Sequence, residues 1–238
     1  MSKPFHMNKD TAALLVCAGN ASRMGGIHKI LHPLCDTTVL HQVLRAFAAC
    51  ESIAGIVVIC RAQDTELFRQ SVAEIALTVP VKITEGGATR QQSVRAGVNA
   101  LPFEADCLAI HDGARPLILP EDIERVIQQA RATGAATLGV PVKDTIKTVE
   151  NGIITGTPER SLLYQTQTPQ VFRRVLYMQA LELADAQGRD YTDDCQLVEA
   201  LGNPVSMVTG SYTNIKLTTP EDFAVAEAFL RMQKTNGG

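Results

Sequence analysis

Five short runs, Ala12–Cys17, Ile56–Cys60, Val81–Thr84, Cys107–His111 and Ala135–Val140, read as strands, and all but Val81–Thr84, which carries Lys82, are almost continuously apolar instead of alternating. A strand with that pattern has no solvent face, so its sheet must be covered on both sides. The segments between the runs have helical spacing. Thr38 to Cys50 follows Asp36 and Thr37 as candidate caps, and Thr89 to Leu101 sets Val94, Val98 and Leu101 on one face. Pro120 to Ala132 does the same with Ile123, Val126, Ile127 and Ala130, and opens on Pro-Glu-Asp, which favours a helix N-terminus. Strand and helix in alternation predict an α/β fold with a mainly parallel sheet between helical layers. Ligands of such sheets sit beyond the carboxyl ends of the strands, so residues just after each run are the first functional candidates.

The rhythm breaks after Val140. Lys143 to Val149 alternates polar and apolar residues, Glu150-Asn151-Gly152 turns the chain, and Ile153-Ile154-Thr155 returns, which predicts a protruding β-hairpin. A two-stranded arm is marginal by itself and needs a surface to pack on, either a second subunit or its own domain. A helix over Gln170 to Gln187, a short strand over Val205 to Val208 and a closing helix complete the expectation. The closing helix takes Thr219-Pro220-Glu221-Asp222 as cap and first turn, with Phe223, Ala226 and Leu230 facing inward. With no internal repeat or low-complexity tract, the chain reads as one domain over 1–238 with an arm at about 143–165.

Bulk properties exclude several classes. A net charge of −3 argues against a broad nucleic-acid-binding face, so a polyanionic ligand would need a local cluster of cations, with a divalent metal. No apolar run approaches a membrane span and no signal-peptide core precedes the first strand, so a cytoplasmic protein is expected. Cys17, Cys35, Cys50, Cys60, Cys107 and Cys195 are scattered without metal-ligand spacing, which predicts reduced thiols and no structural zinc.

The loop after the first run, Cys17-Ala18-Gly19-Asn20-Ala21-Ser22-Arg23-Met24-Gly25-Gly26-Ile27-His28-Lys29, combines small residues with two cations. Small residues let backbone N–H groups approach a phosphate, and Arg23 and Lys29 add charge; a plain basic turn is the other reading. It matches neither the P-loop pattern nor G-x-G-x-x-G. After the third run, Glu85-Gly86-Gly87-Ala88-Thr89-Arg90-Gln91-Gln92-Ser93 offers close backbone approach and a hydroxyl one turn into a helix, as a ligand wall or an ordinary turn. His111-Asp112-Gly113-Ala114-Arg115-Pro116 ends a strand on an acid that suits a nucleotide-bound Mg²⁺, an ion pair to Arg115, or both, while His111 suits a packed role. Lys216 interrupts an apolar, strand-like stretch, where a cation needs a counter-ion or an anionic ligand. Thr168-Pro169-Gln170 and Tyr191-Thr192-Asp193-Asp194 supply hydroxyls and carboxylates that capping explains equally well. No nucleophile elbow or activated-cysteine pattern is present.

Taken in order, these segments resemble the 2-C-methyl-D-erythritol 4-phosphate cytidylyltransferase family, from about Ala12 to Leu230. The resemblance rests on Ala18-Gly19-x-x-x-Arg23-Met24 with Lys29, Gly86-Gly87-x-x-Arg90-x-x-Ser93-Val94, and His111-Asp112-x-Ala114-Arg115-Pro116. It continues through Pro141-Val142-x-Asp144-Thr145-x-Lys147, Thr168-Pro169-Gln170, Thr192-Asp193 and Asn214-Ile215-Lys216-x-Thr218-x-Pro220-Glu221-Asp222. It implies a Rossmann-like three-layer nucleotidyltransferase fold and transfer of a cytidylyl group from CTP to a phosphorylated polyol, with Mg²⁺ or another divalent cation and release of pyrophosphate. Arg23 and Lys29 would stabilise the triphosphate, and Arg160 and Lys216 would hold the acceptor phosphate. Cys17, Ala18, Gly87, Ala88 and Ser93 would surround cytosine and ribose, and Asp112 would help hold the metal and nucleotide. Gly19, Arg115, Thr145, Thr168 and Thr192 complete the implied substrate-binding set. Thr145 and Arg160 lie on or beside the arm, which implies a homodimer with composite sites.

Cys17 stands in place of the family's first alanine, His28 in place of a proline, and Ala88 in place of an acid. A ribitol 5-phosphate cytidylyltransferase shares most of these motifs, and a catalytically silent nucleotide-binding regulator is a rival from another class. Arg23, Lys29, Arg160 and Lys216 together favour an enzyme.

Overall fold

A computed structural model describes residues 9–19 and 29–236, with side chains to 233. Seven strands form the main sheet: β1 (Thr11–Val16), β4 (Ile53–Cys60), β5 (Val81–Glu85), β6 (Cys107–Asp112), β7 (Ala135–Pro141), β10 (Tyr164–Arg173) and β11 (Ser206–Thr209). Two small ribbons stand apart, β2 (Pro33–Leu34) with β3 (Thr37–Thr38), and β8 (Thr148–Glu150) with β9 (Ile153–Gly156). The helices are α1 (Val39–Ala48), α2 (Thr65–Ala73), α3 (Arg90–Asn99), α4 (Pro120–Thr133), α5 (Arg174–Ala186), α6 (Asp194–Ala200) and α7 (Glu221–Asn236). The main sheet runs β5-β4-β1-β6-β10-β7-β11, and only β10 is antiparallel to its neighbours.

The two-sided burial that the apolar runs require is met in β1, β4, β6 and β7, whereas β5 lies at the sheet edge, half-buried and with Lys82 exposed. In β1, Ala13 and Leu15 join a core with Val43, Leu44 and Phe47 of α1 and Val126 and Ile127 of α4. Ala12 and Leu14 point the other way, into a core with Val94 and Val98 of α3, Tyr177 and Leu181 of α5 and Val198 of α6. Period-two alternation with both faces buried makes a three-layer sandwich. Each fully buried Leu contributes roughly 1.5–3 kcal/mol, which favours continuous apolar strands over amphipathic ones here. The last helix buries Phe223, Ala226 and Leu230 in a smaller cluster with Leu34, Leu117 and Leu217, as its sequence predicts.

Several expectations need correction. Gln170 to Gln187 is not one helix: Gln170–Arg173 completes β10, and α5 begins at Arg174. The β10 segment is rich in Gln and Thr, whose burial is made possible by partners distant in sequence. The cap of α1 is Thr38, whose hydroxyl accepts the His41 amide at 3.2 Å, rather than Asp36 or Thr37. Lys216 lies in irregular chain and not in a strand; its neighbour Leu217 donates to Ala114 O at 2.8 Å and ties the segment to the loop after β6. Helices α2 and α6 were not anticipated. The hairpin is present with its first strand starting at Thr148, and Asn151 and Gly152 take the positive φ values of 49° and 80° that its two-residue turn demands.

Chain order reverses across β1: β4 and β5 lie on one side and β6 on the other. That switch point opens a crevice at the carboxyl ends of β1 and β6.

Candidate active site

A cleft of about 450 Å³ occupies this crevice. Its walls come from the loops after β1, β5 and β6, each laced to a neighbouring strand. Cys17 N–H donates to Ile59 O at 2.8 Å, Gly86 N–H to Cys60 O at 2.8 Å, and Gly113 N–H to Val16 O at 3.0 Å. Gly113 is obligatory, because a side chain there would collide with the Cys17 sulfur. At Gly86 an added Cβ would meet Ser93 Oγ at 2.8 Å and the Ala18 methyl at 2.9 Å, so the two loops touch through small residues. Ser93 Oγ accepts the Gly87 N–H at 3.1 Å and donates to Thr89 O at 2.8 Å, fixing the start of α3. Thr89 caps that helix by accepting the Gln92 amide at 3.2 Å. Burial pushes the Cys17 thiol far above its ordinary pKa, so it acts as a neutral wall.

Asp112 is the electrostatic centre. Its Oδ2 lies 2.9 Å from Lys216 Nζ and 3.6 Å from Arg115 Nε, and its Oδ1 lies 3.7 Å from Arg90 Nη2. Burial pushes its carboxyl pKa up, but Arg90, Lys216 and Arg115 outweigh burial and hold it well below the usual carboxylate range. The backbone around it is equally constrained. Arg115 N–H closes a turn on Asp112 O at 3.0 Å, and Arg115 Nη1 donates to Asn214 O at 2.9 Å, joining the Lys216 segment to β6.

His111, fully buried behind Asp112, explains the neighbouring hydroxyl. The Arg115 carbonyl can only accept, so His111 Nε2 carries the proton across that 3.1 Å bond and Nδ1 accepts from the Thr168 hydroxyl at 3.0 Å. Thr168 Oγ1 then accepts the Asp112 N–H at 3.0 Å. Burial lowers the His111 pKa to about 4, so the imidazole is neutral at pH 7 and serves as a packed strut, as the sequence indicated.

The sequence candidates therefore separate. Cys17, Ala18, Gly19, Lys29, Gly87, Ala88, Ser93, Asp112 and Lys216 border the cleft, with Lys29 Nζ 3.4 Å from Leu217 O. Arg115 and Lys216 also border an adjoining cavity of about 210 Å³. Thr168 lies beneath Asp112, whereas Thr192 is exposed and is not part of the cleft wall. Thr145 and Arg160 face a separate groove on the arm, where Arg160 Nη1 donates to Lys143 O at 3.0 Å. Arg23 lies outside the described residues. Sequence reasoning missed Arg61, Thr89 and Arg90, which line the cleft, and Asp194, which pairs with Arg90 at 2.6 Å. Arg90 stood inside the glycine-pair motif, but only the fold, which brings the start of α6 to the start of α3, reveals its partner.

The donor set admits one metal-binding arrangement. No group of three or more His, Cys, Asp or Glu side chains suited to an ion occurs among the described residues. Asp112 stays ionised, and among the described residues its Oδ1 has no cation closer than Arg90 at 3.7 Å. A single carboxylate suits Mg²⁺ when substrate phosphates supply the remaining oxygens.

Comparison with known proteins adds independent findings. The family model for 2-C-methyl-D-erythritol 4-phosphate cytidylyltransferase matches residues 11–232. A protein of that description from Syntrophotalea carbinolica is 46% identical over 220 residues, covering 91% of this chain and 94% of the relative. One from Desulforamulus reducens is 42% identical over 222 residues, covering 92% of this chain and 95% of the relative. Among solved structures, the 4-diphosphocytidyl-2C-methyl-D-erythritol synthase of Anaerococcus prevotii superposes with a TM-score of 0.83 at 28% identity, covering 94% of this chain and all of that one.

Proposed function

The chain belongs to the 2-C-methyl-D-erythritol 4-phosphate cytidylyltransferase family and transfers a cytidylyl group from CTP to that acceptor in the non-mevalonate route to isoprenoids, and we propose that the cleft over Asp112 is where the transfer occurs. The observation that carries this assignment is the Lys216–Asp112 contact at the switch point, which sets a partly exposed ammonium on the wall of a crevice bordered by Lys29 and the small-residue loops.

In the transfer, an oxygen of the acceptor's phosphate attacks the α-phosphorus of CTP in line. The bond from that phosphorus to the β-phosphate oxygen breaks, and pyrophosphate leaves with the electron pair. No covalent enzyme intermediate is required, so the protein contributes position and charge. Lys29 and Arg23 would neutralise the triphosphate, and Lys216 and Arg160 would hold the acceptor phosphate for attack. Gly87, Ala88 and Ser93 with Cys17 and Ala18 would enclose the base and ribose. Asp112 would hold Mg²⁺, which would neutralise phosphate charge when bound.

Arg160 belongs to a different groove from Lys216 within one chain. A homodimer in which the arm reaches the neighbouring copy would unite them. Supporting this, among the described residues β8 and β9 pair only with each other, and Ile153, Ile154 and Leu162 are 69%, 59% and 78% exposed. A cytoplasmic location is supported by six unpaired cysteines, five of them buried. No helix among the described residues is long and apolar enough to cross a membrane.

The test is pyrophosphate release with CTP and Mg²⁺, offering methylerythritol 4-phosphate and ribitol 5-phosphate in parallel, for the parent and for Lys216→Ala. Release with the first acceptor alone, abolished in the variant, is expected. An unchanged rate in Lys216→Ala would remove the cleft as the site of transfer.

A further inference from the structure

The Asp112 cluster contains an ion pair that the transfer does not use directly. Arg90 opens α3, at the positive end of the helix dipole, where a cation is disfavoured. Its guanidinium lies 2.6 Å from Asp194 and 3.7 Å from Asp112, and its Nη1 is buried without a hydrogen-bond partner among the described residues. Asp194 is 2% exposed, and its Oδ1 accepts the fully buried Tyr177 hydroxyl at 2.6 Å, which turns Oδ2 toward Arg90. Gln170 Oε1 accepts the Asp194 N–H at 3.1 Å and so fixes the start of α6. A buried pair of this kind is often no more stabilising than apolar residues of the same volume, so stability does not account for it.

Charge balance supplies an account. Among the described residues linked by these contacts, Lys216, Arg115 and Arg90 face Asp112, while Asp194 faces Arg90 alone. Three cations and two carboxylates leave one net positive charge, and Lys216, with its side chain 44% exposed, is the cation turned to solvent. Without the charge of Asp194, Arg90 would be drawn across the remaining 3.7 Å to Asp112 and would compete with Lys216 for the carboxylate. Lys216 would then lose the partner that holds its ammonium at the cleft wall.

We propose that Arg90 is a positioning residue, held off Asp112 by the Asp194–Tyr177 pair so that the Asp112 carboxylate remains free to fix Lys216 for the acceptor phosphate. The inference rests on the assignment of the transfer to this cleft. In this role Arg90 acts through Asp112 and Lys216.

The experiment measures kcat and KM for the acceptor, CTP affinity by calorimetry without acceptor, and Tm, in two designs. Arg90→Met with Asp194→Leu removes the pair at similar volume, and Tyr177→Phe keeps every charge but releases the orientation of Asp194. The double variant is expected to keep CTP affinity, with Tm lowered by a few degrees because Asp194→Leu strands the buried Tyr177 hydroxyl, while kcat/KM for the acceptor falls about tenfold, with the loss mainly in KM. Tyr177→Phe should lose roughly threefold in the same parameter. Parent-like kcat/KM for the acceptor in the double variant overturns the proposal. If the double variant does not fold, an unchanged acceptor parameter in Tyr177→Phe overturns it. Lys216→Ala, run alongside, separates the two levels. If it loses activity while the pair variants do not, the positioning role fails and the site stands; if it retains full activity, the site assignment fails first.

Discussion

Around Asp112, five charged groups are joined by contacts of 2.6–3.7 Å and roofed by buried strands, whereas on the arm Ile153, Ile154 and Leu162 stand largely in solvent. The first region is braced within one chain: His111, Thr168, Arg115 and Asn214 hold the Asp112 loop through side chain and backbone alike. The second exposes apolar surface and pairs two short strands only with each other. Such a contrast teaches where self-sufficiency ends. The Asp112 region is fixed by the fold of one chain, while under the proposed composite site Thr145 and Arg160 would meet the cleft only across a dimer interface.

The comparison can be broken most severely beneath Asp112. Phe47 is fully buried with its ring 5.1 Å from that of His111, so Phe47→Ala should cost about 3–5 kcal/mol in urea unfolding. A loss below 1 kcal/mol would mean that the region is far less tightly packed than described. Next, Lys216→Ala should lower kcat/KM by about 10²–10³ with little change in Tm, as for other preorganised electrostatic groups. Steady-state kinetics beside a thermal melt decides it.

A comparable effect is expected from His111 on acidification. Its pKa in the folded protein is about 4 against 6.5 ordinarily, so the folded state excludes a proton that the unfolded state accepts. Stability that is fully present above pH 6.5 should drain as the pH falls toward 4, by on the order of 3 kcal/mol. His111→Gln should flatten that slope, and an equally steep profile in the variant would assign it elsewhere. Asp112 has the same sign over a more acidic window: its depressed pKa contributes stability at neutral pH that is lost only below the ordinary carboxylate value of 3.8.

The smallest effect belongs to the arm. Ile153→Ser should change the unfolding free energy of a protomer by no more than about 0.5 kcal/mol, because little apolar area is buried there within the chain. The same variant should weaken self-association in analytical ultracentrifugation and reduce activity at low protein concentration. A dimer unaffected by Ile153→Ser and Ile154→Ser together would dissolve the composite-site reading.

Legibility followed the source of each signal. Strands β1, β4, β6 and β7 were readable to within a few residues because burial on both faces leaves a nearly unbroken apolar run, and the edge strand β5 was readable despite its exposed Lys82. The Asn151-Gly152 turn was readable because two positive φ values tolerate few residues. Strand β10 was hidden: Gln167, Thr168 and Gln170 look like surface residues, yet they are buried because Ser211 O, His111 and Asp193 satisfy them. At the site, Asp112, Lys29, Lys216 and the glycine pair could be singled out from their place after strands or in apolar surroundings. Arg90 and Asp194 could not, since they are 104 positions apart in the numbering and their 2.6 Å contact exists only once the fold brings the starts of α3 and α6 together.

By itself, then, the order of apolar and polar residues determined the layered α/β architecture, the ends of strands where chemistry concentrates, and the family. Those are consequences of local periodicity and of residue types with few conformational alternatives. Tertiary structure alone decided which cations share Asp112, that Thr168 and His111 brace it from beneath, and that Arg160 lies in another groove. Electrostatic partnership depends on distance in space, to which spacing along the chain is no guide across loops and crossovers.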